Sequence, residues 1–168
     1  NTYSRHWCTH VRVVGDGLTL TYADGLILKP RFREELTRTV SAWGEAKQAD
    51  LARLHVGIVG VGSVGGIVAE SLARMGVQRI TLIDFDRFEN LNLDRSLHAR
   101  REDARVRASK VSVVSSALQE NATAADFVVT PIDRSIVEDE GFRAALDCDV
   151  LFSCVDRPWA RSALNFCA

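Results

Sequence analysis

His55-Val56-Gly57-Ile58-Val59-Gly60-Val61-Gly62-Ser63-Val64-Gly65 is the stretch that decides the fold. Val56-Gly57-Ile58-Val59 is an apolar run of the length expected for a buried strand. Gly60, Gly62 and Gly65 then take the GxGxxG spacing. In such a turn one glycine makes the tight bend. Another lets a phosphate approach the backbone, and a third lets helix and strand pack closely. The following residues suit a helix from Val64 to Met75, with Gly76 placed to end it. Arg79–Asp84 reads as the next strand. Asp84 stands 24 residues after Gly60, where a carboxylate hydrogen-bonds ribose hydroxyls.

Working downstream, residues 103–120 suit a helix with an apolar face of Val111, Val114 and Leu118, and Lys110 opens that amphipathic run. Phe127–Thr130 reads as a third strand, 137–147 as a helix and Val150–Cys154 as a fourth strand. Pro158 is well placed to begin a last helix. This alternation predicts an α/β fold, a Rossmann-like doubly wound sheet that is parallel in the part present. Upstream, residues 32–54 form a helical lead-in, since Phe32, Leu36, Val40 and Trp43 recur at spacings of three and four. Residues 1–31 read as a short β element: Val11–Val14 and Leu18–Tyr22 flank Gly15-Asp16-Gly17, and Ala23-Asp24-Gly25 makes a second turn before Leu26–Leu28. The expected organisation is thus a small N-terminal β/helical extension and a nucleotide-binding domain over 55–168.

The bulk numbers remove several function classes. The 168 residues are 46% hydrophobic and 26% charged, as in a globular domain with its own core. A net charge of −1 argues against a dedicated binder of nucleic acid or membrane surfaces. No apolar run approaches the roughly 18–20 residues that span a bilayer, and no signal-peptide pattern is present. Cys8, Cys148, Cys154 and Cys167 form no CxxC pair and read as reduced thiols of a cytoplasmic protein. Asn1 is not an initiator methionine and Cys167-Ala168 ends inside a helical pattern, so the expectation is a piece of a longer protein.

The residues after Asp84 separate hydride chemistry from phosphate chemistry. They run Asp84-Phe85-Asp86-Arg87-Phe88-Glu89-Asn90-Leu91-Asn92-Leu93-Asp94-Arg95. A domain for NAD needs no polar Asn-x-x-Arg element here. A triphosphate site does, because its charge must be neutralised in a dry cleft. Asp156 follows the fourth strand, at the carboxyl edge where open α/β sheets bind ligands.

This constellation resembles the ThiF/MoeB/HesA family of ubiquitin-like-protein activating enzymes. The resemblance runs from about Arg38 to Ala168. It takes in Arg38, Trp43-Gly44, Gln48 and Leu51, the glycine turn (Gly60, Gly62, Ser63, Gly65), the Asp84-Phe85-Asp86 stretch and Asn92-Leu93-Asp94-Arg95. Lys110 and Cys154-Val155-Asp156 with Arg161, Leu164 and Asn165 complete it. The resemblance implies that Asp84 holds the ribose of ATP, and that Asn92, Arg95 and Lys110 hold its phosphates. Asp156 then works at the α-phosphate with Mg2+, with Arg157 beside it. Arg38 acts as an arginine finger, reaching across a homodimer. The implied reaction is attack of the C-terminal carboxylate of a ubiquitin-like or sulfur-carrier protein on ATP, releasing pyrophosphate. Arg95, Lys110, Asp156 and Arg38 are the residues expected to carry it. Four positions depart from the family pattern: Ser63 replaces the second middle glycine, Ser96 the glutamine after Arg95, Arg107 a glycine and Arg157 an asparagine.

Other readings stand beside this one. The same fingerprint serves NAD(P)-dependent oxidoreductases, and a silent activating-enzyme-like subunit can scaffold a partner. Within adenylation, the acceptor can instead be a peptide or a modified tRNA base. Asp86 is either a phosphate-site or metal carboxylate or a cap for the following loop. Cys154 reads as a buried thiol at a strand end more than as a nucleophile. His6-x-Cys8-x-His10 has metal-ligand types, but three ligands this close rarely close a tetrahedral site. His98 reads as a polar helix or loop residue, Trp7, Trp43 and Trp159 as packing residues, and Arg100-Arg101-Glu102-Asp103 as a solvated loop.

Overall fold

In a computed structural model, residues 6–27 and 29–166 are described. Leu28, at the end of the third short N-terminal stretch, and Cys167 lie outside them. The chain forms two compact units that meet in sequence between Pro30 and Arg31.

In the first unit, β1 (His10–Val14) and β2 (Leu18–Tyr22) pair antiparallel, His10 opposite Tyr22 and Val14 opposite Leu18. Among the described residues, the stretch after Ala23 turns, and Leu26 and Ile27 lie in no strand; the Leu26 N–H donates to the Ala23 carbonyl at 2.8 Å. Trp7, expected to pack, is 87% exposed.

The second unit opens with the helical lead-in, which is two helices and not one. A 3-10 turn over Glu34–Leu36 leads into α1 (Thr37–Trp43), and α2 (Glu45–Arg53) follows. Gly44 between them has φ +91°, a left-handed value that ends α1 and that glycine takes without a Cβ clash. Two buried residues fasten this lead-in to the sheet unit. Leu36 packs near Gly76, and the wholly buried Gln48 donates to the Met75 carbonyl at 2.8 Å while accepting from Trp43 Nε1 at 2.9 Å.

The sheet is four parallel strands: β3 (His55–Val59), β4 (Arg79–Ile83), β5 (Val128–Ile132) and β6 (Val150–Ser153). Their order is β5-β4-β3-β6. The chain builds outward from β3 through β4 to β5, then returns to the other side of β3, so a topological switch point lies between β3 and β6. Pro131 sits in β5, an edge strand, where its missing N–H breaks no inner ladder.

Side-chain alternation assigns the two faces. Val56, Ile58, Ile80 and Leu82 face α3 (Ser63–Arg74) and α5 (Lys110–Asn121), which contribute Ala69, Ala73, Val111, Val114 and Leu118. Val59 and Ile83 face the other way, toward Ala145 of α6 (Asp139–Leu146) and Ala160 and Leu164 of α7 (Pro158–Asn165). Helices on both faces make the doubly wound α/β architecture that the strand–helix alternation predicts.

The helix expected over 103–120 is broken, and the break shapes the site. α4 is short, Arg101–Arg105, so the charge run starting at Arg100 is partly helical and not a loop. Arg107 then takes φ +52°. The next residues turn back as an extended segment: Phe88 N–H donates to the Ala108 carbonyl at 2.9 Å, and Arg87 bridges Ser109. The chain thus chooses pairing with the segment after β4 over helix continuation, and α5 restarts at Lys110.

The glycine turn depends on close backbone approach. Gly60 has φ +89°, and a Cβ there would stand 2.7 Å from the Cys154 carbonyl oxygen. A Cβ on Gly65 would run into the Gly60 carbonyl, a fixed backbone atom. Gly65→Ala is therefore expected to lower unfolding free energy by about 2–3 kcal/mol through overpacking. Urea melts measure this, and a midpoint equal to wild type would contradict the packing described.

Candidate active site

A cavity of about 460 Å³ opens at the carboxyl edge of the sheet, and the segments after all four strands line it. After β3 come Gly60, Gly62 and Ser63; after β4, Asp84 and Asp86; after β6, Asp156 and Arg157. Asn92 and Arg95 reach it from the arm that follows β4, and Lys110 from the start of α5. Ten of the sequence-derived site residues thus meet in one cleft. Two do not line it: Gly65 packs beneath the turn, and Arg38 is exposed on α1.

The turn is sewn to both neighbouring strands. Gly60 N–H donates to the Ile83 carbonyl at 2.9 Å, and Cys154 N–H donates to the Val59 carbonyl at 2.8 Å. Gly62 caps α3 with no side-chain hydrogen bond, and space is open where its Cβ would be. The first N–H groups of α3 therefore face the cleft without a side-chain partner, which suits an anion.

Asp84 is fixed by the backbone around it. Its Oδ2 accepts from Val61 N–H at 2.6 Å and its Oδ1 from Asp86 N–H at 2.8 Å. Burial pushes its pKa up, against the opposing pull of those two N–H groups and Lys110. Each oxygen keeps a lone pair for a further donor. Asp86 also lines the cleft. Its carboxylate pairs with Lys110 Nζ at 2.8 Å, while its carbonyl accepts the Lys110 N–H at 3.1 Å. Both contacts hold Lys110, which is buried, at the cleft.

Asn92 closes a capping box: its Oδ1 accepts from Glu89 N–H at 2.9 Å. That bond leaves the amide N–H2 pair for the cleft. Arg95 is oriented by the Leu91 carbonyl at 2.6 Å and Asp94 at 2.9 Å. Asp156 is exposed in the cleft and makes no hydrogen bond or ion pair among the described residues. Cys154 is half-buried and burial pushes its thiol pKa up, which fits a strand-end thiol and not an activated nucleophile. No group of three His, Cys, Asp or Glu among the described residues is arranged to hold a metal.

Arg134, Ser135 and Trp159 also line the cleft, and none of the three is a site residue on the sequence reading. Arg134 and Ser135 follow β5 as Asp84 follows β4, so the carboxyl-edge rule applied to every strand would have found them. Trp159, expected to pack, is 43% exposed at the cleft. Trp43 is 38% exposed and serves through its N–H to Gln48. In total Arg95, Lys110, Arg134, Arg157 and Arg161 face Asp84, Asp86 and Asp156, an excess of positive charge.

A profile of the ThiF family matches residues 35–168. The chain belongs to the ThiF family. Among its relatives is the tRNA threonylcarbamoyladenosine dehydratase of Escherichia coli (strain K12), 30% identical over 127 residues, which are 73% of this chain and 47% of that protein. The ubiquitin-like modifier-activating enzyme 5 of Drosophila pseudoobscura pseudoobscura is 31% identical over 120 residues, 66% of this chain and 30% of the relative. The chain therefore spans about half the length of the first relative or less. A crystal structure of the E. coli dehydratase in complex with ATP superposes with a TM-score of 0.69 at 28% identity, covering 79% of this chain and 53% of that one. Family membership fixes the meaning of one departure. Arg107, where the family often has glycine, holds the left-handed backbone itself, so the turn before Lys110 survives the substitution.

Proposed function

We propose that the cleft binds ATP and that the complete protein transfers its adenylyl group to a carboxylate. The observation that carries this reading is the gathering of Asn92, Arg95, Lys110 and Asp156 in one cleft with the glycine turn. The turn and Asp84 alone would suit any dinucleotide. The extra cations suit a chain of phosphates longer than NAD carries, since each phosphate oxygen in a cleft needs a donor or a positive charge. The ATP-bound dehydratase structure supports the same ligand.

In this reading Asp84 accepts from the ribose hydroxyls, and the α3 N–H groups with Asn92, Arg95 and Lys110 hold the phosphates. A carboxylate oxygen of the acceptor attacks the α-phosphorus. The bond to the bridging oxygen of the β-phosphate breaks, its electron pair leaves with pyrophosphate, and an acyl-adenylate remains. Lys110 and Arg95 stabilise charge on the phosphates as it shifts. Asp156 fits Mg2+ as a hard, unpartnered oxygen donor, since this ion is commonly held by one or two carboxylates plus substrate phosphates. Bound there, Mg2+ would supply charge neutralisation at the phosphates.

For the acceptor we favour the C-terminal carboxylate of a ubiquitin-like or sulfur-carrier protein. The net charge of −1 gives this part of the molecule no general surplus for tRNA. We place the reaction in the cytoplasm, where thiols such as Cys154 stay reduced; no described helix is long and apolar enough to cross a membrane. We further propose a homodimer. Ile67 is 53% exposed on α3 and Leu97 is 61% exposed on the arm beside it, with Val64, 60% exposed, at the cleft, apolar area that a second copy would cover.

Calorimetry tests the nucleotide reading. ATP with magnesium is expected to bind, and NAD to give no heat under the same conditions. Tight NAD binding without ATP binding would overturn the proposal.

A further inference from the structure

The arm that carries Asn92 and Arg95 has a buried polar anchor away from the cleft. Leu97 and His98 form a turn between the 3-10 segment that carries Asn92 and the short helix α4. Ala99 packs on the core, and His98 turns inward. The His98 side chain is 7% exposed, and its Nε2 meets Glu70 Oε2 at 3.0 Å. Glu70 is itself buried on α3. Its Oε1 accepts from Arg74 Nε at 2.6 Å, and its Oε2 also meets Asn121 Nδ2 at 3.4 Å. Burial pushes the Glu70 pKa up, but the bonds from Arg74, His98 and Asn121 outweigh it and hold the carboxyl below the ordinary range.

The partners matter because of where their elements begin. Glu70 sits on α3, which opens at the glycine turn. Asn121 ends α5, which opens at Lys110. His98 follows Asn92 and Arg95 on the arm. One buried carboxylate thus joins the three segments whose other ends face the cleft. The junction is costly. His98 Nδ1 is buried without a partner, and an unsatisfied buried polar atom opposes folding. An apolar residue at position 98 would fill the same space without that cost. It would not fix the direction of the arm, because apolar contacts are non-directional.

We propose that His98, held by Glu70, is a positioning residue that sets Asn92 and Arg95 against the glycine turn and so sets affinity for the polyphosphate end of the nucleotide. This rests on the ATP reading above. His98 touches no substrate; it acts through the arm.

Calorimetry with ATP and with AMP, each with magnesium, separates this role from plain stability. His98→Leu is expected to weaken ATP binding by about 10- to 100-fold, the scale on which small misplacements of a site register. AMP lacks the outer phosphates, and its affinity is expected to change by less than about threefold, the context scatter of single contacts. His98→Gln, whose amide can replace the Nε2 donor, is expected to restore ATP binding. In an Arg95→Ala background, His98→Leu is expected to add little, because coupled residues are non-additive. Equal weakening of ATP and AMP, or additive effects, would overturn the proposal, as would unchanged ATP binding. Glu70→Gln, which keeps the volume and one acceptor, gives the same comparison should His98→Leu not fold. Hydrogen exchange keeps the two readings apart. If the wild-type chain binds no nucleotide, the ATP reading fails on its own. Selective loss of protection over residues 90–100 in His98→Leu, with β3 and β4 unchanged, would still sustain the anchor, and unchanged protection there would refute it.

Discussion

Asp156→Ala is expected to abolish ATP–pyrophosphate exchange while leaving the fold intact. The fold survives because the carboxylate is exposed and bonds to no described residue. Nothing in the core rests on it: Val155 on one side and Ala160 on the other pack against the second face of the sheet without it. Activity fails because the same carboxylate is the one acid in the cleft with no partner. Asp84 is occupied by two backbone N–H groups and Asp86 by Lys110. Asp156 alone is free to engage the reacting phosphate or its counter-ion. Losing one preorganised electrostatic group typically costs about 10²–10³ in rate, and loss of a metal contact adds to that. The measurement is exchange of labelled pyrophosphate into ATP, with the acceptor that supports exchange in the wild-type protein, beside a urea melt. A variant that melts like wild type and exchanges at the wild-type rate would remove Asp156 from the mechanism.

The strand–turn–helix around Gly60 was legible because its two requirements, apolar burial and glycine at a close approach, leave direct marks in the sequence. The order of alternation carried the parallel sheet. Two kinds of feature were hidden. The first is helix interruption. Residues 103–120 keep a helical apolar period, yet Arg107 breaks it, because pairing of Ala108 and Ser109 with the segment after β4 is a long-range term that no local window contains. Gly44 does leave a local mark, but the apolar period that runs through it masks the break it makes between α1 and α2. The second is polar burial. Gln48 and Glu70 look like surface residues in a list; only their partners, Met75 and Trp43 for one and His98 and Arg74 for the other, explain their place inside. Arg134 and Ser135 at the cleft belong to a third case: only their place after β5, at the carboxyl edge, marks them.

Mixed dimers of Arg38→Ala and Lys110→Ala subunits are expected to recover activity that neither variant has alone. Arg38 lies outside the cleft formed by its own chain, exposed on α1, and its guanidinium makes no hydrogen bond or ion pair with a described residue. Its backbone is nonetheless held in place. Leu36 just before it is buried, and Gln48 fastens the following helix to the end of α3. A free guanidinium on an anchored helix is suited to reach a neighbouring molecule, and Arg offers phosphate a rigid two-point fork. We infer that it reaches the triphosphate of the partner subunit. Such an arginine neutralises charge only once two subunits meet, which couples assembly to catalysis. If Arg38 works across the dimer, a mixed dimer holds one complete site, with Lys110 from one chain and Arg38 from the other. Random pairing makes half the dimers mixed and completes one of their two sites, so about a quarter of wild-type exchange should return. If Arg38 serves its own chain, every site stays broken and mixing restores nothing. Should Arg38→Ala alone keep full activity, the residue is a surface helix position and nothing more.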